Sequence, residues 1–471
     1  MLQLTLESPP DVELAFTTTL ETLRHKYATL WRSTPATPPP PVDADRRRQR
    51  ATERAADRFA DEMEDELRSP SPSRDLRLRP PGGIEGGDLR RRLRDFARDG
   101  LGLPAAHRDV ILSDVWLDAT AEFARRARAF DDGLELLDLL QALRNVWIMN
   151  VLQALLDRPV RLTPAMVGYS LLYPYTDNRL DEPDLPADRK RGFCGRLERR
   201  LRGEPLSAAD GHERAVFDLV AMVEEQYRRE AYPEVYLSLL AIHRAQERSL
   251  RLQRPLGGIE GGDLQSADRD EDDVLGASVA KGGASVLADG YLVAGELDRD
   301  EADFCFGYGV VLQLMDDLQD VEQDLDAGHV TLFTRGARHG QLDDLASRLH
   351  NFLGAVLDGS TRFAGARFDT LKDLIRSHCS QLIVQSAAQH PRYFSPRFLG
   401  RLEGRSPVRF VYARWKRQEL RRRLHQLDAT LKRSGRLGSL FEAFAGEGLQ
   451  GRADAPRCVS EELLARRFAR T

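Results

Sequence analysis

Apolar residues recur at helical spacing along most of this chain, and the strict alternation of a half-buried strand is rare. From about residue 88 to the end nearly every segment has helical period. Leu134 to Leu156 (LELLDLLQALRNVWIMNVLQALL) is apolar over most of its circumference, which predicts a central helix. Further helices are expected over 208–229, 233–252 and 272–294. Thr163-Pro164 supplies an N-cap and a first-turn proline for a helix running toward Asp177, and Asp298 to Glu301 an acidic capping box for one running through Phe304 to Met315. The pattern predicts an all-α fold, with residues 88–471 as one large helical domain. Before it, 11–32 looks helical, Ser33 to Val42 (STPATPPPPV) is a polyproline spacer, 46–68 is a highly charged helix, and 69–87 is a Pro-, Ser- and Gly-rich linker. Residues 1–87 are therefore expected to form a loosely attached, peripheral arm.

Composition narrows the field. The 471 residues are 41% hydrophobic and 30% charged with a net charge of only -5, so no basic footprint for nucleic acid is present. The four cysteines, Cys194, Cys305, Cys379 and Cys458, stand far apart without a CxxC pair, which suggests neither a zinc site nor a disulfide framework and fits a reducing cytoplasm. No stretch is long and apolar enough for a transmembrane helix, which leaves peripheral membrane contact and oligomeric state open. Arg79 to Leu89 (RPPGGIEGGDL) and Arg254 to Leu264 (RPLGGIEGGDL) differ at one position, but their flanks are unrelated. A short inserted sequence carried twice in surface loops explains this better than a structural repeat or a pair of phosphate loops, because neither copy has a P-loop Lys-Ser/Thr.

The chemistry concentrates in Leu312 to Leu332, LQLMDDLQDVEQDLDAGHVTL. Asp316, Asp320 and Asp324 share one helical face, where like charges repel and weaken the helix, so a cation is the natural partner. Mg2+ takes one or two carboxylates and completes its shell with phosphate oxygens. An isolated run of this kind is also what a solvated acidic helix end looks like. A second acidic element lies at the end of the apolar segment Val167 to Tyr175, where Asp177 and Asp181 stand one turn apart with Glu182 beside them.

Together the two motifs resemble those of class I isoprenoid (terpenoid) synthases, which include terpene cyclases, polyprenyl diphosphate synthases and squalene/phytoene synthases. Asp177-Asn178-Arg179-Leu180-Asp181 is similar to the first DDxxD motif, with Asn second. Leu312-Gln313-Leu314-Met315-Asp316-Asp317-Leu318-Gln319-Asp320 matches the second motif FQxxDDxxD, and Leu312, Gln313, Asp320, Asp324 and Gly328 also fit the squalene/phytoene pattern, with His329 where Arg is usual. The resemblance implies a helical bundle with a central cavity, in which Mg2+ or Mn2+ bound by Asp177, Asp181, Glu182, Asp316, Asp317, Asp320 and Asp324 holds the diphosphate of a prenyl diphosphate substrate. Asp177, Asp181, Asp316 and Asp320 would carry catalysis. Arg189, Lys190 and Arg191 (followed by Gly192), Arg248 and Lys281 are candidate diphosphate contacts, and Tyr173, Tyr175, Asn178 and Gln313 candidate pocket residues. By the same resemblance the bulk of Tyr173, one turn before Asp177, would limit prenyl length.

The nearest branch in character is the bacterial large-terpene synthases, a lyase reading. Prenyl transfer, head-to-head or chain-elongating, is the alternative, although no basic GKxxR-type motif for isopentenyl diphosphate is present. Lys281-Gly282-Gly283-Ala284-Ser285 implies either a helix break beside the substrate, as these synthases often have, or close helix packing. A di-iron bundle fails for want of a Glu-x-x-His pair, and an EF-hand at Asp268 to Asp273 for want of its glycine and glutamate. A catalytically degenerate helical scaffold is the remaining reading from another class.

Overall fold

The computed structural model describes residues 10–68, 86–182, 185–252, 271–360 and 362–434. The two RPxGGIEGGDL segments lie outside these, except that 86–89 open a helix. Among the described residues every regular element is a helix: α1 (Pro10–Ser33), α2 (Arg46–Arg68), α3 (Gly86–Asp95), α4 (Ala105–Ile111), α5 (Asp114–Phe130), α6 (Leu136–Leu155), α7 (Pro164–Asp181), α8 (Ala187–Leu201), α9 (Gly211–Gln226), α10 (Pro233–Leu252), α11 (Glu271–Ala294), α12 (Arg299–Gln319), α13 (Val321–Ala327), α14 (Leu332–His339), α15 (Asp343–Gly359), α16 (Ala366–Gln389), α17 (Pro396–Glu403) and α18 (Phe410–Ser434). None is long and apolar enough to cross a membrane.

The helix starts follow the caps in the sequence. The Thr163 side chain accepts from the Met166 N–H at α7, and Asp298 and Glu301 form a reciprocal capping box at α12. The central pair is α11 and α12, each buried along most of its length. Their backbones meet at glycines. A Cβ on Gly309 would lie 2.0 Å from the Gly282 carbonyl oxygen, and one on Gly283 would lie 2.3 Å from the Phe306 ring. α11 runs unbroken through both glycines, so close packing, and not a helix break, accounts for them.

The N-terminal arm is not loosely attached. Leu20, Leu23, Tyr27 and Trp31 fall on one face of α1 and belong to the main core, with Tyr27 stacked on Phe306 over Gly307, where no side chain intervenes. The proline segment is likewise held down, not a free spacer. Its carbonyls accept from Asn351 (onto Pro35 at 2.9 Å and Thr37 at 3.0 Å) and from Arg405 (onto Pro40 at 3.0 Å), side chains that satisfy a backbone lacking a ladder. The charged α2 pairs with α18 through Glu53–Arg409, Asp57–Lys416 and both Asp61 and Glu64 with Arg423, all between 2.6 and 2.9 Å. Arg409, Lys416 and Arg423 recur every seven residues, two turns apart, so they present one face to α2.

The α11–α12 contact generates a stability prediction. Gly309→Ala forces a Cβ into the facing backbone and is expected to cost about 1 to 3 kcal/mol or more by overpacking. Gly276→Ala, on the same α11 but facing open space, is expected to be neutral or to stabilise by up to about 1 kcal/mol through helix propensity. Urea denaturation of the two variants checks this, and equal effects would refute the close-packing account.

Candidate functional site

The acidic ends of α7 and α12 come to the same region of the bundle. Along α7, Tyr169, Tyr173 and Asp177 follow one another at intervals of one turn and so share a face. Tyr173 bridges the two motifs: burial, followed by the charges of Asp177 and Asp316, pushes its phenol pKa well up. The Tyr173 phenol is thus within electrostatic reach of a carboxylate from each motif. Tyr169, one turn deeper, is raised by burial and by Asp289 and bonds Ser285 of α11.

The α12 carboxylates sit in unlike surroundings. Asp316 is partly exposed and faces Arg144 of α6 at 3.5 Å. Asp317 points inward, where Ser278 Oγ and Gln313 Nε2 each donate to it at 2.8 Å. Burial nevertheless lifts its pKa to about 7, opposed by those two bonds and by the nearby Lys281. The Ser278 bond ties Asp317 to α11, and Gln313 braces it from one turn earlier on α12. Asp320 is lifted to about 6 by burial and by the charges of Asp316 and Asp324, with Arg144 and Arg417 of α18 acting the other way. α12 ends at Asp320, yet the i→i-4 hydrogen bonds continue across it into α13, whose left-handed cap is Gly328. Asp324 pairs with His329 at 3.0 Å.

Other expected residues lie elsewhere. Tyr175, two residues beyond Tyr173 and on the opposite side of α7, bonds Asp131 and packs edge-on against Phe130, away from the pocket. Glu182 is exposed and paired with Arg179. Lys190 donates to the Leu180 carbonyl, closing the end of α7. Arg189, Arg191 and Arg248 are exposed, and Arg248 lies about 200° round α10 from Gln246, which donates to Asp177 at 3.2 Å. The side chains of Asn178 and Asp181 lie outside the described residues. The basic groups that do face the α12 aspartates, Arg144 and Arg417, were missed. A lone arginine in the otherwise apolar Leu134 to Leu156 was a visible signal for the first.

Among the described residues no three aspartates bring their carboxylate oxygens within 4.8 Å of one another. The group among these residues whose ligand atoms do gather within 4.8 Å is Cys194, His243 and Glu247, on the other side of α7's end. Beside Tyr173, Tyr169, Gln246 and His243 line a cavity of about 30 Å³. That is room for two or three waters.

No family model matches the chain. No curated protein or solved structure matches it either. Its chemistry is therefore argued from these residues.

The electrostatics predict a pH dependence. Folded Asp320 keeps its proton to about pH 6, whereas an unfolded aspartate loses it near pH 4. The folded chain binds more protons between those values, so this group makes stability fall as pH rises from about 4 to about 6. In chelator-treated protein, Asp320→Asn is expected to raise the urea midpoint above pH 6, with the gap closing toward pH 4. A gap independent of pH would contradict the like-charge account.

Proposed function

We propose that the chain is a Mg2+-dependent class I prenyl diphosphate lyase, ionising an allylic prenyl diphosphate at the mouth between α7 and α12. The observation that carries the reading is that Asp177 of one motif and Asp316 of the other both act on the buried Tyr173 phenol. The donor set suits a hard divalent cation: the carboxylates offer oxygen ligands alone, and Asp316 and Asp324 repel the charge on Asp320. When bound, Mg2+ would neutralise the diphosphate leaving group. Asp177, Asp316 and Asp320 would hold the ions, with Asp181 and Asp324 alongside. Arg144, Arg417 and Lys281 would offset the developing negative charge from three different helices, fixed dipoles and charges being most effective where water is excluded. Tyr173 and Tyr169 would give the carbocation aromatic faces. Prenyl transfer shares all of these groups and remains the alternative outcome.

A second reading has its own support. Pockets for ligands of this size span about 300 to 1,000 Å³, whereas the cavity beside Tyr173 holds about 30 Å³. A helical scaffold that binds without turnover fits that closed interior, and an enzyme requires the interior to open around its substrate.

The discriminating measurement is diphosphate release from farnesyl and geranylgeranyl diphosphate with and without Mg2+, with extraction of hydrocarbon products. Mg2+-dependent release is expected, with a loss of at least about 100-fold in Asp177→Asn and Asp316→Asn, in line with the removal of groups that act in the transition state. Tyr173→Ala is expected to shift preference toward the longer prenyl diphosphate. No release from either substrate would leave the scaffold reading standing, and an unchanged length preference in active Tyr173→Ala would remove Tyr173 as the floor.

A further inference from the structure

Cys194 lies on α8, and His243 and Glu247 lie one turn apart on the same face of α10. The Cys194 sulfur, a ring nitrogen of His243 and a carboxylate oxygen of Glu247 all stand within 4.8 Å of one another, with Cys194 and His243 buried. We propose that these three side chains form a binding site for one Zn2+-class ion.

Three features support it. First, the donor set is thiolate, imidazole and carboxylate, which suits zinc and discriminates against Mg2+, an ion that prefers oxygen alone. Ligand atoms around tetrahedral zinc stand about 3.3 to 3.8 Å apart, so a contraction of about 1 Å closes the shell. Second, His243 Nε2 lies 3.0 Å from the Cys194 carbonyl. A carbonyl only accepts, so Nε2 carries the proton and Nδ1 the lone pair. Ligating histidines are held by this same arrangement, one nitrogen on the metal and the other donating to a backbone carbonyl. Third, His243 lines a cavity that has room for water, a ligand that zinc accepts beside three protein groups.

Without metal, burial and the neighbouring Glu247 charge hold the Cys194 thiol protonated, its pKa pushed up to about 12. Binding breaks the S–H bond, forms the metal–sulfur bond and releases one proton to solvent, while Glu247 supplies a carboxylate oxygen to the ion. The site is separate from the aspartates and does not depend on their assignment. Gln246, between His243 and Glu247, donates to Asp177, so an ion here would tie α8 to α10 directly behind the end of α7.

The test is Co2+ titration of the chelator-treated full chain with excess Mg2+ to occupy oxygen-only sites. The expected result is a near-ultraviolet thiolate-to-cobalt band and strong visible bands of a tetrahedral centre, saturating at about one equivalent and bleached by Zn2+. Cys194→Ser should abolish the near-ultraviolet band. Glu247→Gln should retain it but weaken binding by about 10- to 100-fold or more, with circular dichroism confirming the fold of both. Absence of the thiolate band in the unaltered chain, its persistence in Cys194→Ser, or unchanged affinity in Glu247→Gln would each overturn the proposal. If Cys194→Ser does not fold, Glu247→Gln and the spectrum of the unaltered chain remain decisive.

Discussion

The approach of α11 and α12 through glycine is the constraint on which the rest of the bundle depends. With no Cβ at Gly282 or Gly309 the two backbones come into contact, and the space left at Gly282 is filled by the Gln313 side chain, since a Cβ there would lie 2.4 Å from that of Gln313. Gln313 is thereby fixed to donate to Asp317, and Ser278, one turn before Gly282 on α11, completes the pair of donors. A buried carboxyl is costly unless it is hydrogen-bonded or protonated, and Asp317 has two donors and a pKa of about 7. Its neighbour Asp316 is turned by the helical rotation of about 100° toward Arg144 and the α7 face. Glycine packing thus decides which of two adjacent aspartates is buried against α11 and which is left partly exposed beside Arg144.

Much of this was legible in the sequence where the signal is local. Thr163, Asp298 and Glu301 cap the helices they were expected to cap, and α10 begins and ends where its apolar period does. What escaped depended on partners distant in the chain. The apolar stripe of α1 is visible, but the surface that receives Tyr27 includes Gly307, and a glycine does not announce a docking site in a hydrophobic pattern. α2 reads as solvated because its attachment is electrostatic and its partner charges begin at Arg409. Exposed ion pairs are worth up to about 1 kcal/mol each, but Glu53 and Lys416 are buried, so losing the α2–α18 partner of either would deprive a buried charge of an ion pair.

The candidate site divides along the same line. Spacing alone put Asp316 with Asp320, and Asp177 on the face of Tyr173. It could not separate Tyr173 from Tyr175 by environment, although two residues on a helix point about 200° apart, and only the structure shows Asp131 and Phe130 receiving the second. Arg144 and Arg417 come from helices far from either motif. Cys194 is 49 residues from His243, a separation at which no ligand spacing is recognisable, and the absence of a CxxC pair pointed away from zinc.

These pieces meet at the end of α7. On its α12 side stand hard oxygen donors with excess negative charge; on its α10 side stand sulfur, nitrogen and oxygen in one cluster, with Gln246 reaching from that cluster to Asp177. Asp177 therefore has one neighbour, Tyr173, answering to Asp316, and another, Gln246, held between His243 and Glu247. Whatever fixes α10 against α8 also fixes the direction of the Gln246 amide, and with it one oxygen of Asp177. The other carboxylate oxygen remains in play with the Tyr173 phenol. A carboxylate held on one edge by an amide is oriented at less entropic cost than a freely rotating one, and a ligand engaging it from the α12 side would meet a preorganised group.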